Sequence, residues 1–290
     1  MTATQTQRPP AWFVCASRIR GAGLAIGLTL LAVSVLGSVL LPRDVLPAAA
    51  VATGTTTGVA LLVAGMVLTL LPYRPTIAPR PVRVPATGRW LAANSPESGV
   101  PSHGTHSLGQ SFAIDLVYAP EDGSRPEFGS GPAFRDPGDY PAFGRPLLAP
   151  CAGTVVRTHD SARDHRARSG NAAVAYMMVE GMVRELLGTR RVVGNHVLLD
   201  VGDGVYAVLA HLRRGSVAVR AGDRVEAGQV LGECGNSGNS SEPHLHFHLM
   251  DSPHTWLSAG LPFVFTDVSI DGGELRDGIP ATDSTMTGTP

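Results

Sequence analysis

The sequence predicts a mainly β fold, an antiparallel sheet or open barrel with one helical insertion, preceded by an α-helical transmembrane hairpin. Two long uncharged runs near the amino terminus indicate the hairpin. From about residue 101 onward, short apolar runs alternate with Gly, Pro and Asp turns, as in antiparallel β domains. Near the carboxyl end of this part, histidines alternate with apolar residues from His244 to Met250, which is the period of a strand.

Composition excludes some classes of function. The 290 residues carry a formal net charge of -1 and a pI near 6.8, so no basic surface for nucleic acid is expected. All 23 basic residues are Arg. The three cysteines lie at long spacings without a Cys-x-x-Cys motif, which favours neither a disulfide framework nor a zinc knuckle. Composition leaves the oligomeric state open.

The amino-terminal quarter of the sequence predicts a polar segment at 1–20 and two transmembrane helices within 21–73. The first uncharged run, from Gly21 to Leu41, is long enough to cross a hydrocarbon core. The second extends roughly from Val45 to Tyr73 and ends strongly apolar. Arginines are more frequent outside this pair than between its helices, which favours a cytoplasmic location for both ends.

The rest of the chain divides into three parts. Five prolines among small and polar residues predict an extended linker at 74–100. A β domain is expected at 101–270, and apolar residues at helical spacing in 171–187 predict a helix in an insertion at about 160–190. The Gly-, Thr- and Asp-rich tail at 271–290 is expected to be disordered. The predicted strands are Ser111 to Tyr118, Pro146 to Val156, Val192 to Val201, Val205 to Leu212, Ser216 to Val219, Val225 to Leu231, His244 to Met250 and Pro262 to Val268.

A set of histidines and one aspartate has the character of a metal site. Alternating strand residues share a face, so His244, His246 and His248 would lie side by side. Asp115 lies inside an apolar run, where a carboxylate must be paired, hydrogen-bonded or coordinated. His211 ends another apolar run. Imidazoles and a carboxylate together can hold a transition metal.

In their order along the chain, these elements resemble the lysostaphin-type or LytM-like zinc metallopeptidases, which cut peptides of peptidoglycan. The resemblance covers about residues 101–268. It rests on a histidine ahead of Ala113-Ile114-Asp115, on Pro146-Leu147-Leu148-Ala149-Pro150 before Gly153-Thr154-Val155-Val156, and on Gly194-Asn195, Ala210-His211-Leu212, Gly222-Asp223-Arg224-Val225, Gly228-Gln229 and Pro243-His244-Leu245-His246-Phe247.

The resemblance implies a zinc endopeptidase in which Asp115, His246 and an upstream histidine bind the metal, while His211 and His244 flank its open position. Two imidazoles and one carboxylate leave tetrahedral zinc one position for a water, whose pKa the metal lowers. No cofactor besides Zn²⁺ is expected. His248 stands where many relatives carry Glu, and we expect it to support a ligand from behind.

The upstream ligand is left open between two residues. His103 precedes Asp115 by twelve positions and His106 by nine, whereas many relatives have His-x-x-x-Asp on one strand. The chain must loop back for either histidine to reach the metal. The spacing leans towards His103.

Two further questions stay open at this level. The implied location is the cell membrane with the catalytic domain on the extracellular side, facing peptidoglycan, although the Arg distribution points to the opposite side. Either the amino-terminal segment is translocated, or one run alone spans, or the domain is cytoplasmic. The alternative function is a catalytically inactive LytM-like module that binds the wall or activates another hydrolase, with the 160–190 insertion as a docking element.

Overall fold

The computed structural model describes residues 10–70 and 77–288. Its helical parts are two long amino-terminal helices, two helices between strands of the β domain, and three short 3-10 turns. The helices are α1 (Ala11–Leu40), α2 (Ala48–Leu70), α3 (Asn171–Leu186) and α4 (Thr189–Val193), and the 3-10 turns are Ser107–Gly109, Pro137–Asp139 and Thr255–Leu257.

Most of the remaining structure is β, which confirms the predicted fold class. The strands are β1 (Arg80–Val82), β2 (Gly88–Asn94), β3 (Ile114–Tyr118), β4 (Phe134–Arg135), β5 (Pro146–Leu148), β6 (Gly153–His159), β7 (Ala167–Arg168), β8 (Asn195–Asp200), β9 (Tyr206–Leu212), β10 (Arg224–Val225), β11 (Val230–Glu233), β12 (Leu245–Met250), β13 (Gly260–Leu261), β14 (Phe263–Ile270), β15 (Arg276–Gly278) and β16 (Thr285–Gly288).

One large sheet dominates the domain. Its strands follow the order β1-β14-β16-β2-β3-β12-β9-β8-β6-β10, with β13 beside β12 and β15 beside β14. The pairs are antiparallel except β1 with β14. The main core includes the fully buried side chains of Trp90, Leu116, Leu209, Phe247 and Phe265. Burial of this apolar surface is the main driving force for folding of the sheet.

Helices α1 and α2 form an antiparallel pair, which we call the hairpin (residues 11–70). Both are long and apolar enough to cross a membrane. They approach closely at two glycines: a Cβ on Gly27 would lie 2.9 Å from the Gly58 carbonyl oxygen. Small residues at such contacts are typical of helix pairs in lipid. Helix α1 begins at Ala11, inside the segment predicted as polar, and the predicted end of the second span at 71–73 lies outside the described residues.

Two predicted segments differ from the structure. The range predicted as a linker contains β1 and β2, because Trp90 and Ala92 alternate with more exposed residues and bury one face of β2 against the core. The range predicted as a disordered tail contains β15 and β16, and β16 pairs with both β14 and β2. Backbone pairing on both sides orders this segment despite its polar composition.

The predicted helix of the insertion is present as α3. Strands β6 and β8 pair antiparallel, and the chain between them forms β7, α3 and α4. The predicted strand at Ser216 to Val219 is wrong, since no strand forms within these described residues. The run from Val225 to Leu231 is divided between β10, which pairs with β6, and β11, which pairs with β5.

Candidate functional site

Three adjacent strands bring a row of polar side chains together. On β3, Asp115 lies opposite His246 of β12 on one side and opposite Asn94 of β2 on the other. A register shift between Ala92 and Asn94 on β2 accompanies this pairing. Residues directly opposite on paired strands are within side-chain contact. The row explains why residues far apart in sequence share one carboxylate.

The Asp115 carboxylate has four neighbours. His103 Nε2 lies 2.7 Å from Oδ2, and Asn94 Nδ2 donates to the same oxygen at 2.9 Å. His246 Nδ1 lies 2.8 Å from Oδ1, and His244 Nε2 lies 3.4 Å from it. Three imidazoles therefore surround one buried carboxylate.

His211 and His244 lie next to each other beside His246. Their ring centroids are 4.9 Å apart, and the His211 centroid is 5.5 Å from that of His246. Each Nδ1 lies 2.8 Å from a backbone carbonyl oxygen, of Ser237 for His211 and of Glu242 for His244. A carbonyl only accepts, so both Nδ1 atoms carry a proton. Nε2 of His244 faces Asp115 Oδ1.

The backbone at His211 is unusual. Its φ of 61° lies in the left-handed region, which non-glycine residues seldom adopt. Backbone outliers of this kind concentrate at functional sites. The neighbouring chain passes very closely, and a Cβ on Gly235 would lie 2.2 Å from the backbone nitrogen of Arg213. Only glycine fits at 235, and this packing fixes the segment that follows the histidine.

Burial and mutual contact shift the pKa values of the cluster in opposite directions. Burial would raise the pKa of Asp115, but the neighbouring His103 and His244 hold it well below its usual range. Burial and the nearby His244 and His246 lower the pKa of His211 strongly. Burial also opposes the charged form of His244, yet contact with Asp115 leaves its pKa raised. The cluster therefore favours a charged Asp115 carboxylate and a neutral His211 imidazole.

Of the two candidate upstream histidines, His103 joins the cluster and His106 does not. His106 Nδ1 lies 2.9 Å from Ser111 Oγ, its ring stands edge-on to Phe13, and its side chain is fully buried. His106, the other candidate upstream ligand, therefore lies outside the group of side chains that could hold a metal. The 3-10 turn at Ser107–Gly109 turns the chain between the two histidines, so they point to different surroundings.

The donor set fits a zinc ion. His103, Asp115 and His246 each offer a ligand atom, and these atoms all lie within 4.8 Å of one another. Two nitrogens and one oxygen are a common ligand set for catalytic zinc. The two histidines of this set each have a second polar neighbour. Ser102 Oγ lies 3.1 Å from His103 Nδ1, and His248 Nδ1 lies 3.1 Å from His246 Nε2. With Asn94 on Asp115, all three would be oriented by a neighbour, as metal ligands are in proteins.

Sequence reasoning missed two of these supporting residues. Asn94 fell in the range interpreted as a linker, and Ser102 is an ordinary polar residue in a loop. The period-2 alternation around Trp90 is the signal that indicates β2, and pairing of β2 with β3 would then place Asn94 beside Asp115. His248 lies behind His246, where the alternation predicted it.

Comparison with known proteins gives a family match. Residues 139–256 match the model of Peptidase family M23. The glycyl-glycine endopeptidase ALE-1 of Staphylococcus capitis is 41% identical over 73 residues, which are 25% of this chain and 20% of that protein. Lysostaphin of Staphylococcus simulans is 40% identical over 73 residues, 25% of this chain and 14% of that protein. The chain thus spans a fifth or less of the length of these relatives.

Parts of this chain also align with solved structures at low identity. The catalytic domain of lysostaphin from Staphylococcus simulans aligns with 60% of this chain and 88% of its own, at 19% identity and a TM-score of 0.32. The SpoIIQ-SpoIIIAH pore forming complex aligns with 51% of this chain and 60% of its own, at 21% identity and a TM-score of 0.29. Over residues 139–256 the chain is therefore similar to Peptidase family M23, and 73 of its residues are similar to lysostaphin and to ALE-1.

Proposed function

We propose that the chain is a membrane-anchored zinc endopeptidase that hydrolyses peptide bonds of peptidoglycan. The observation that carries this proposal is the convergence of His103, Asp115 and His246 in a domain that is similar to Peptidase family M23 over residues 139–256. The matched relatives are named as a glycyl-glycine endopeptidase and as lysostaphin, which favours a peptide as substrate.

The proposed roles follow the positions of the side chains. A zinc ion held by His103, Asp115 and His246 would supply a Lewis acid for the scissile carbonyl and lower the pKa of a water. His211 and His244 each use Nδ1 to donate to a backbone carbonyl, which leaves Nε2 for the reaction. Burial lowers the pKa of His211, so its neutral Nε2 would take the proton of the attacking water. Contact with Asp115 raises the pKa of His244, so its protonated Nε2 would donate a hydrogen bond to the developing oxyanion.

A membrane location is supported by the hairpin. Its helices are long and apolar enough to cross a bilayer, and they pack through glycines at positions 27 and 58. Both ends of the hairpin contact the β domain, so the segment before α1 and the domain after α2 would lie on one side. We place that side outside the cell, because peptidoglycan lies there, and accept translocation of the amino-terminal segment despite its arginines.

The test uses the purified full chain in detergent or lipid discs. We expect about one zinc per chain and hydrolysis of muropeptides. His246→Ala and Asp115→Ala are each expected to lose the metal and to cut hydrolysis at least about a hundredfold, while the exposed His254 serves as a matched histidine control through His254→Ala. Equal hydrolysis by His246→Ala, Asp115→Ala and the parent would overturn the mechanism.

A second candidate is a module that keeps the metal site and docks a partner hydrolase. One observation favours it: helix α3 exposes Tyr176, Met178, Val179 and Val183 to solvent. The helix also lies near the loop before His244, since a Cβ on Gly181 would be 3.1 Å from the Asn239 amide. Zinc binding without hydrolysis of any wall fragment would favour this candidate.

A further inference from the structure

The amino-terminal end of the hairpin packs against the β domain. Phe13 of α1 is 0% exposed and forms a small apolar cluster with Val100, Phe112 and Ala259, separate from the main core. Val100 and Phe112 flank the segment 101–111, which we call the His103 loop. Helix α1 therefore covers the two points where this loop leaves and re-enters the domain.

Both helices make further contacts with the β domain near the His103 loop. Arg20 is 2% exposed, and its Nη2 donates to the Ser258 carbonyl oxygen at 3.5 Å. A Cβ on Gly21 would lie 3.1 Å from the Trp256 carbonyl oxygen. At the end of α2, the Thr69 carbonyl oxygen accepts a hydrogen bond of 3.1 Å from the backbone N–H of His106. The His103 loop is thus held by the first helix and by the last turn of the second.

A continuous series of contacts leads from the hairpin to Asp115. The ring of His106 stands edge-on to Phe13, with centroids 6.3 Å apart, and its Nδ1 lies 2.9 Å from Ser111 Oγ. The Ser111 carbonyl oxygen accepts a hydrogen bond of 3.2 Å from the backbone N–H of Ser102. Ser102 Oγ contacts His103 Nδ1, and His103 Nε2 reaches Asp115.

The three side chains proposed to bind the metal lie on different kinds of backbone. Asp115 and His246 lie on paired strands of the large sheet. His103 lies on a loop whose regular structure is the 3-10 turn at Ser107–Gly109. A loop residue of this kind opens at a lower free energy than strand residues do. The geometry of His103 therefore depends on what packs against the loop.

We propose that the hairpin positions His103 for metal binding, and that His106 is the positioning residue that transmits this support. The proposal rests on the proposed role of His103 as a metal ligand. His106 contacts the hairpin through Phe13 and lies outside the proposed metal ligands, so the proposal gives this histidine a separate, positioning role. It also implies that loosening the hairpin weakens the metal site while the sheet stays folded.

The experiment compares Phe13→Ala with Ile19→Ala in the full chain. Ile19 is 55% exposed on the same stretch of α1 and is the matched control. Two readouts are used: amide hydrogen exchange of residues 101–111 in metal-free protein, and zinc affinity by competition with a chelator. We expect Phe13→Ala to speed exchange of the loop and to weaken zinc binding, each about tenfold, while Ile19→Ala changes neither.

His106→Ala is the second variant, since it removes the link to Ser111 and keeps Phe13. The same loss of zinc affinity, with unchanged exchange in β8 and β9, supports a positioning role. Parent-like loop exchange and zinc affinity in Phe13→Ala and His106→Ala would overturn the proposal. Faster exchange throughout the sheet in both would overturn it too, because the contacts would then support the whole fold. The exchange measurement needs neither zinc nor hydrolysis, so it separates this proposal from the proposed function.

Discussion

Asn94 Nδ2 donates a hydrogen bond of 2.9 Å to Asp115 Oδ2 across the β2–β3 pair. The same oxygen also lies next to His103 Nε2. The Asn94 amide therefore holds the carboxylate in the orientation proposed for metal binding. Supporting groups of this kind change metal affinity about 10- to 100-fold when they are removed.

We therefore expect Asn94→Ala to weaken zinc binding about tenfold or more without unfolding the domain. Zinc affinity is measured by chelator competition, and folding by thermal unfolding of the metal-free chain. Asn171→Ala, at the exposed start of α3, is the matched control and should bind zinc as the parent does. An unchanged affinity in Asn94→Ala would mean that Asp115 is oriented by its other neighbours alone.

His248 supports His246 in the same manner, with 3.1 Å between Nδ1 of the first and Nε2 of the second. His248→Ala removes this partner, and we expect zinc affinity to fall about tenfold. His248→Gln keeps a polar group near the His246 ring and should retain most of the affinity. Equal losses in the two variants would indicate that the bulk of the side chain matters and that its hydrogen bond does not.

His196 gives a pH dependence away from the site. Burial, with the nearby His159 and Arg157, lowers its pKa from 6.5 to about 4. Between these values the unfolded chain binds a proton that the folded chain does not, so stability is complete above pH 6.5 and falls as the pH drops towards 4. The full effect is roughly 3 kcal/mol.

The measurement is denaturant unfolding of the parent and of His196→Gln between pH 4 and 7. We expect the variant to lose less stability over this interval than the parent, whatever its stability at pH 7. The exposed His254, changed to Gln, is the control and should leave the slope unaltered. Parallel curves for parent and His196→Gln would show that His196 titrates normally in the folded chain.

The close approach of α1 and α2 predicts an asymmetry between two glycines of α1. A Cβ on Gly27 would lie 2.9 Å from a backbone oxygen of α2, whereas a Cβ on Gly23 would lie 3.7 Å from the Leu61 carbonyl oxygen. Gly27→Ala should destabilise the hairpin by about 1–3 kcal/mol through overpacking. Gly23→Ala should be neutral or slightly stabilising, because Ala favours helix over Gly. Unfolding in mixed detergent compares the two, and equal stabilities would contradict the packing.

Topology is tested by reporter fusions in cells. Position 44 lies between the two helices, and position 80 begins the domain. For a hairpin that crosses twice, the two positions lie on opposite sides of the membrane. A reporter after residue 80 should be exported and one after residue 44 should stay in the cytoplasm. Export of both fusions would indicate a single span, and retention of the fusion at 80 would place the domain inside.

The sequence predicted those parts of the site that depend on strand alternation. His246 and His248 share a face because they alternate on β12, which His244 directly precedes, and Asp115 is notable as a charge in an apolar run. The sequence leans towards His103 over His106 without deciding between them, because both lie on a loop whose path depends on Phe13 and on the end of α2. Long-range packing of this kind leaves no local pattern.

The strands at the ends of the domain escaped prediction for a related reason. Prolines around β2 and the Gly/Thr composition around β16 both favour extended or disordered chain when read locally. Each segment is ordered by partners distant in sequence: Met286 lies opposite Trp90 and is almost fully buried. A strand of four residues also has too few alternations to stand out.

Strand β16 fills the gap between β14 and β2, and β2 is the strand that carries Asn94. A preparation shortened at its polar end, after Gly278 for instance, would present two bare strand edges that invite intermolecular pairing. Such shortening would therefore reduce solubility and weaken the support that Asn94 gives the Asp115 carboxylate. Affinity tags and truncations of this protein should leave β16 paired with β14 and β2.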